Sequence, residues 1–75
     1  MLAYMISKPN CPYCVKAEAL LKSNNIEYIK DIVGETITRE ELLEKAPTAK
    51  TVPQIWLDKE YIGGYNELYR KIYGE

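Results

Sequence analysis

The apolar residues change period several times within 75 residues, and that constrains the fold most. Leu2-Ala3-Tyr4-Met5-Ile6 is a short continuous run, stopped by the breaker pair Pro9-Asn10. It reads as a buried strand over residues 2–7. Cys14, Ala17 and Leu21, with Leu20 beside them, then return at helical spacing over residues 12–24, and Ser23-Asn24-Asn25 ends that stretch. Glu18 and Lys22 form a favourable i,i+4 pair on its outer side. Residues 26–31 go back to alternation, with apolar residues on both faces, and Gly34 breaks them.

Thr38-Arg39-Glu40-Glu41 has the form of a capping box, with Ile37 and Leu42 placed as a hydrophobic staple. A helix over residues 39–45 follows, closed by Ala46-Pro47. Pro53 opens a further strand, Gln54-Ile55-Trp56-Leu57, at a position that tolerates proline. Asp58-Lys59 makes a tight turn into a short strand over 60–62. Gly63-Gly64 leads into a last helix in which Tyr65, Leu68, Tyr69, Ile72 and Tyr73 recur as one stripe, read as core. The order is β-α-β-α-β-β-α, an α/β fold. The first two strands are expected parallel through a right-handed crossover, and residues 55–62 add an antiparallel hairpin. The expectation is one domain over residues 1–75, a four-stranded mixed sheet flanked by three helices lying on both faces.

Composition excludes several functions. Ten Lys and Arg balance eleven Asp and Glu, for a net charge of −1, without the basic surplus of a nucleic-acid binder. No apolar run approaches the roughly 20 residues of a membrane span, and residues 2–6 are too short for a signal-peptide core. A cytoplasmic monomer is expected. There is no His, so no Ser-His or Cys-His catalytic pair exists. Two Cys do not supply the four ligands of a structural zinc site within one chain, and no metal is expected.

The two Cys are three residues apart, in Cys11-Pro12-Tyr13-Cys14, between a strand and a helix. That context reads as a redox site. A structural disulfide fits a reducing cytosol poorly, and so short a loop adds little chain entropy. A metal shared between two chains is the other reading. With Cys11 as N-cap, Pro12 falls at N1, where its missing N–H does no harm. The N–H groups of Tyr13 and Cys14 then face the Cys11 sulfur, which also meets the positive end of the helix dipole. Lys8 adds a nearby cation, and Cys14 lies deeper. A free thiol of pKa about 8.5 is a few per cent thiolate at neutral pH. Lowering it three or four units gains about thirtyfold in thiolate and loses a similar factor in nucleophilicity. The net gain lies in leaving: such a sulfur is readily expelled from a mixed disulfide.

The chain resembles the glutaredoxins of the dithiol type. The likeness is carried by Lys8-Pro9-Asn10-Cys11-Pro12-Tyr13-Cys14, Thr51-Val52-Pro53-Gln54, Ile62-Gly63-Gly64-Tyr65 and the order of elements between them. It implies a thioredoxin-like fold and a cis Pro53 facing the Cys pair. It implies that Cys11 attacks a disulfide or a glutathione mixed disulfide and that Cys14 resolves protein disulfides. For glutathione it implies Tyr13 beside the sulfur and Val52 pairing its backbone with the cysteinyl part, between Thr51 and Pro53. Gly64, Tyr65 and Asn66 match the stretch that holds the γ-glutamyl end with helix N–H groups. Lys8 and Arg39 match cations near the glycyl carboxylate. Many relatives carry Asp where this chain has Asn66, which caps a helix but offers no charge; Glu67 is the adjacent carboxylate.

The resemblance thus implies a glutathione-dependent thiol-disulfide oxidoreductase, with glutathione as co-substrate and disulfide-bonded or glutathionylated proteins, ribonucleotide reductase among them, as partners. Two alternatives stay open at this level. One is a redoxin reduced by a flavoprotein of the thioredoxin-reductase type. The other is a non-enzymatic dimer carrying an iron–sulfur cluster through Cys11 of each chain and two glutathiones.

Overall fold

Strand β1 (Leu2–Ser7) is buried on both faces and lies inside the sheet. In the computed structural model, which describes residues 1–74, β1 leads through α1 (Pro12–Ser23) to β2 (Glu27–Ile32), which pairs with it in parallel. Helix α2 (Arg39–Lys45) then leads to β3 (Gln54–Leu57), antiparallel on the other side of β1, and β4 (Glu60–Gly63) pairs antiparallel with β3. Helix α3 (Tyr65–Tyr73) closes the described chain. The sheet order is β2-β1-β3-β4, the expected mixed sheet. No described helix is long and apolar enough to cross a membrane.

Alternation along β1 divides the interior in two. Ala3 and Met5 face α1 and α3, where Ala17, Leu20, Leu21, Ile55, Leu57 and Leu68 complete the main core. Ile6 faces the other way, into a smaller cluster with Ile37 and Leu42 under α2. Ile37 and Leu42 therefore meet as the staple pattern requires. Thr38 caps α2 through Glu41 N–H at 3.0 Å, and the Glu41 carboxylate returns the bond to Thr38 N–H at 2.9 Å.

The turns are set by residues that tolerate positive φ. Helix α1 ends in a Schellman arrangement with Asn25 at φ 59°: Ile26 N–H donates to the Leu21 carbonyl and Asn25 N–H to that of Lys22. Asp58 and Lys59, at φ 49° and 73°, form the two-residue hairpin turn between β3 and β4.

Three details depart from the sequence reading. Strand β2 has no fully buried residue, and Ile29 is 57% exposed, because β2 is an edge strand and α2 is too short to cover its far face. Glu18 does not pair with Lys22; it accepts from Lys30 at 3.0 Å and the Tyr28 hydroxyl at 2.8 Å, both on β2. The stripe on α3 splits. Leu68 is fully buried, but Tyr69 and Tyr73 are 49% and 53% exposed. Their rings continue outward from Tyr65, with centroids 6.3 and 4.9 Å apart. A helical apolar stripe about 100° wide is wider than the seam with α1, so only part of the stripe finds cover.

On the α2 side Tyr4 hydroxyl donates to Asp31 Oδ2 at 2.5 Å and Thr36 hydroxyl to Oδ1 at 2.9 Å. These bonds, Tyr4's first, hold the Asp31 carboxyl below its ordinary value of 3.8. Burial, and then the same bond, pushes the Tyr4 hydroxyl up. A depressed carboxyl stabilises the fold above its unfolded pKa and ceases to do so as pH falls through the folded one. The stability gap between wild type and Asp31→Asn should therefore be full at pH 7 and close below about pH 4, measured by urea unfolding across pH. A gap that widens in acid contradicts the assignment. Thr38→Ala should lower unfolding free energy by about 1 kcal/mol at every pH in the same series.

Candidate functional site

The chain leaves β1 through Pro9 and Asn10, whose φ of 57° lies in the region Asn tolerates, and delivers Cys11 to the start of α1. Cys11 is the N-cap and Pro12 stands at the helix start. Cys14 N–H donates to Cys11 Sγ at 3.2 Å. No acidic residue occupies the first turn of α1, so nothing there opposes negative charge on the sulfur. The two sulfurs are paired as a disulfide, with Cα atoms 5.2 Å apart. Both residues are buried, Cys11 at 7% and Cys14 at 3% exposure, so the difference in access expected from sequence is small. It is nonetheless real in position, since Cys11 lines a cleft and Cys14 does not.

That cleft holds about 490 Å³. One wall is Cys11, Pro12 and Tyr13; the opposite wall is Thr51, Val52 and Pro53; the end wall is Gly64, Tyr65 and Asn66. Lys8 lies at its mouth, as do Asn10, Lys50 and Glu67. The Val52–Pro53 peptide is cis, as the resemblance implies. The Val52 carbonyl oxygen lies 3.8 Å from Cys11 Sγ. Tyr13 is more than half exposed, its ring 6.0 Å from that of Tyr65 and 5.0 Å from Lys16 Nζ. Of the residues singled out for ligand contact, only Arg39 stands outside; it lines an adjoining hollow instead. Among the described residues no cluster of three or more His, Cys, Asp or Glu is placed to hold a metal.

The end wall is built by glycines. Gly63 has φ +123°, and a Cβ there would sit 3.0 Å from Glu67 Cγ. Gly64 is the N-cap of α3, and its N–H donates to Glu67 Oε1 at 2.9 Å. Glu67 is thus engaged as a backbone cap, and the Gly64 N–H is already partnered. Asn66 lies in the first turn of α3 and does not cap it.

Sequence reasoning passed over Gln54 and Tyr61. The Gln54 side-chain amide donates to the Thr51 carbonyl at 2.6 Å, and its oxygen accepts from the Tyr61 hydroxyl. The pair ties the Thr51–Pro53 wall to β3 and β4. The one available signal was a polar Gln at the head of an otherwise apolar strand. A second hollow of about 580 Å³ lies between Leu2, Tyr4, Ile29 and Trp56; no cysteine lines it.

The glutaredoxin family model matches residues 3–62, and glutaredoxin 3 of Escherichia coli is 41% identical over 64 residues. The chain belongs to the glutaredoxin family. That alignment covers 84% of this chain and 76% of the relative. Glutaredoxin 1 of Rickettsia conorii is also 41% identical, over 63 residues, 80% of this chain and 61% of that one. The chain thus spans less than two thirds of the Rickettsia protein. Among solved structures, glutaredoxin 1 of Francisella tularensis complexed with cacodylate superposes with a TM-score of 0.80 at 29% identity, covering 95% of this chain and 91% of that one. The thioredoxin-like fold is therefore shared over nearly the whole chain. The family match ends at Ile62, so the Gly64–Asn66 wall of this glutaredoxin rests on its geometry.

Gly63→Ala should lower stability by more than about 1 kcal/mol, because it strains φ and displaces the Glu67 cap together. Thermal unfolding measures this, and an unchanged midpoint contradicts the reading of the glycine turn.

Proposed function

We propose that this glutaredoxin is a glutathione-dependent thiol-disulfide oxidoreductase in which Cys11 is the nucleophile and Cys14 the resolving thiol. The observation that carries the reading is Cys11 Sγ at the N-cap of α1, accepting the Cys14 N–H, on the wall of the cleft. A helix N-terminus favours a negative sulfur, and an N–H donor at hydrogen-bond distance favours it further. Lys8 at the cleft mouth adds positive charge.

In the dithiol cycle the Cys11 thiolate attacks one sulfur of a protein disulfide, and the other sulfur leaves as a thiolate. Cys14 then attacks Cys11, releasing the reduced protein and leaving the Cys11–Cys14 disulfide. One glutathione thiolate opens that disulfide, a second attacks the resulting mixed disulfide, and oxidised glutathione departs with both electrons supplied. In the monothiol cycle Cys11 takes glutathione from a modified protein, and a second glutathione releases it.

The cleft walls support glutathione as the reductant. Ladder pairing of β3 begins at Gln54, which leaves Val52 outside the sheet beside the sulfur, where an extended peptide can pair with it. Thr51 and Pro53 flank that position, and Tyr13 covers one side. Tyr65 and Asn66 open the N-terminus of α3, which suits the γ-glutamyl carboxylate. Lys8 faces the glycyl end, with Arg39 beyond it. Disulfide-bonded and glutathionylated proteins are the substrates of this reading, ribonucleotide reductase among them, and the monomer acts in a reducing cytoplasm.

A glutathione-reductase-coupled assay with a small glutathione mixed disulfide tests it. Cys11→Ser should lose all turnover, and Cys14→Ser should keep it while losing reduction of protein disulfides. Turnover by Cys11→Ser, or turnover that ignores glutathione and requires a flavoprotein reductase, overturns the reading.

A further inference from the structure

Beside the Cys11 cleft lies a smaller hollow of about 140 Å³, whose cations Lys8 and Arg39 the glutathione reading uses and whose aliphatic floor it leaves uncovered. The two share Lys8, Lys50, Thr51 and Val52. Its inner surface is aliphatic, from Val33, Leu42 and Leu43, and its rim carries Lys8, Arg39 and Lys50. No acidic side chain lines it. On the capping turn, the Glu41 carboxylate is turned back onto Thr38 N–H at 2.9 Å. Leu43 is 38% exposed, an aliphatic side chain left partly open at the edge of a cationic ring. In a chain of net charge −1, three cations around one apolar hollow are a local excess.

Glutathione does not account for this arrangement. Its carboxylates suit the cations, but past its cysteine it has only glycine, which carries no side chain to cover an aliphatic floor. A hollow near 150 Å³ takes an apolar group of about the size of benzene. A polypeptide does have such groups. If its cysteine occupies the cysteinyl position and its backbone pairs with Val52, the residues after the cysteine run over Val52 toward Lys8 and Arg39.

We infer that this hollow is a specificity subsite for protein substrates, taking an extended segment in which an aliphatic side chain and a carboxylate follow the reactive cysteine. The inference rests on Cys11 as the attacking thiol and deepens that reading. Charge complementarity and continuity with the Cys11 cleft both favour this occupant. Capture requires the aliphatic group to leave water and the carboxylate to meet the cationic rim, and the two requirements are separable.

The test uses pre-reduced protein and short peptides whose cysteine is joined to thionitrobenzoate as a mixed disulfide. The Cys11 thiolate attacks the peptide sulfur, the aryl disulfide bond breaks, and thionitrobenzoate leaves as a coloured anion. Cys14 then displaces the peptide thiolate, so the two electrons that the Cys pair loses reduce the mixed disulfide to one thionitrobenzoate and one peptide thiolate. No glutathione is needed, which separates this test from that of the glutathione cycle. Three peptides carry, after the cysteine, two leucines then two glutamates, two glycines then two glutamates, or two leucines then two lysines. The leucine–glutamate peptide should react about tenfold faster than the glycine–glutamate one, and severalfold faster than the leucine–lysine one at low salt. Leu43→Ser should erase most of the leucine advantage and leave the glycine–glutamate rate unchanged. Lys50→Gln should shrink the preference for glutamate over lysine.

Equal rates for all three peptides overturn the subsite while leaving Cys11 as nucleophile. An undiminished leucine advantage in Leu43→Ser overturns the assignment to this hollow. No release from any peptide by wild type overturns both the subsite and the thiol reading, whereas failure in the glutathione-coupled assay alone touches only the reductant.

Discussion

The N-terminus of α1 needs acceptors for its free N–H groups, and this chain supplies a sulfur. Cys14 N–H bonds Cys11 Sγ at 3.2 Å, so the bond that starts the helix is the one that would favour a thiolate in the proposed cycle. The same geometry separates the positions of the two sulfurs: one caps the helix at the cleft wall, and the other lies one turn in, buried. Residues that differ by only a few per cent in exposure thereby acquire different chemical surroundings. The rest of the fold holds that helix end still, β1 from below and the Thr51–Pro53 loop from the front.

β1 can do this because it is packed on both faces. Ala3 and Met5 tie it to α1 and α3, and Ile6 ties it to the α2 cluster. Asymmetry of cover follows from helix length. Two helices shield one face, and a helix of 7 residues shields the other, leaving Ile29, Tyr4 and Trp56 around an open hollow. Gln54 and Tyr61 then fix the cleft's second wall to the sheet, so that both sides of the cleft are referred to the same rigid strands.

Much of this was readable in residue order. The helix start at Cys11-Pro12, the Thr38–Glu41 box, the Asp58-Lys59 turn and the order of elements each rest on local chemistry, and the structure contains all of them. The misjudged details share another character. Glu18 had a local partner in Lys22 and a non-local one in Lys30, and the sheet chose the latter. Tyr69 and Tyr73 fitted a buried stripe by period, but burial depends on how wide a partner helix is. The Glu67 carboxylate, next to Asn66 in sequence, is bound to the Gly64 N–H because a capping box closes within four residues.

The sequence by itself determined which atoms carry the chemistry, because a proline after a cysteine and a second cysteine three residues on define a helix N-terminus with its own thiol acceptor. It also determined the order of elements, since hydrophobic period and turn residues act over a few positions. Only the tertiary structure decided which surfaces face that sulfur. Val52, Gly64 and Lys50 lie about forty to fifty residues from Cys11 along the chain, and their convergence is set by the β1–β3 register and the entry of α3. The same packing set Arg39 outside the cleft and opened an aliphatic hollow beside it, because the length of α2 and the placement of Leu42 and Leu43 depend on what β1 leaves uncovered.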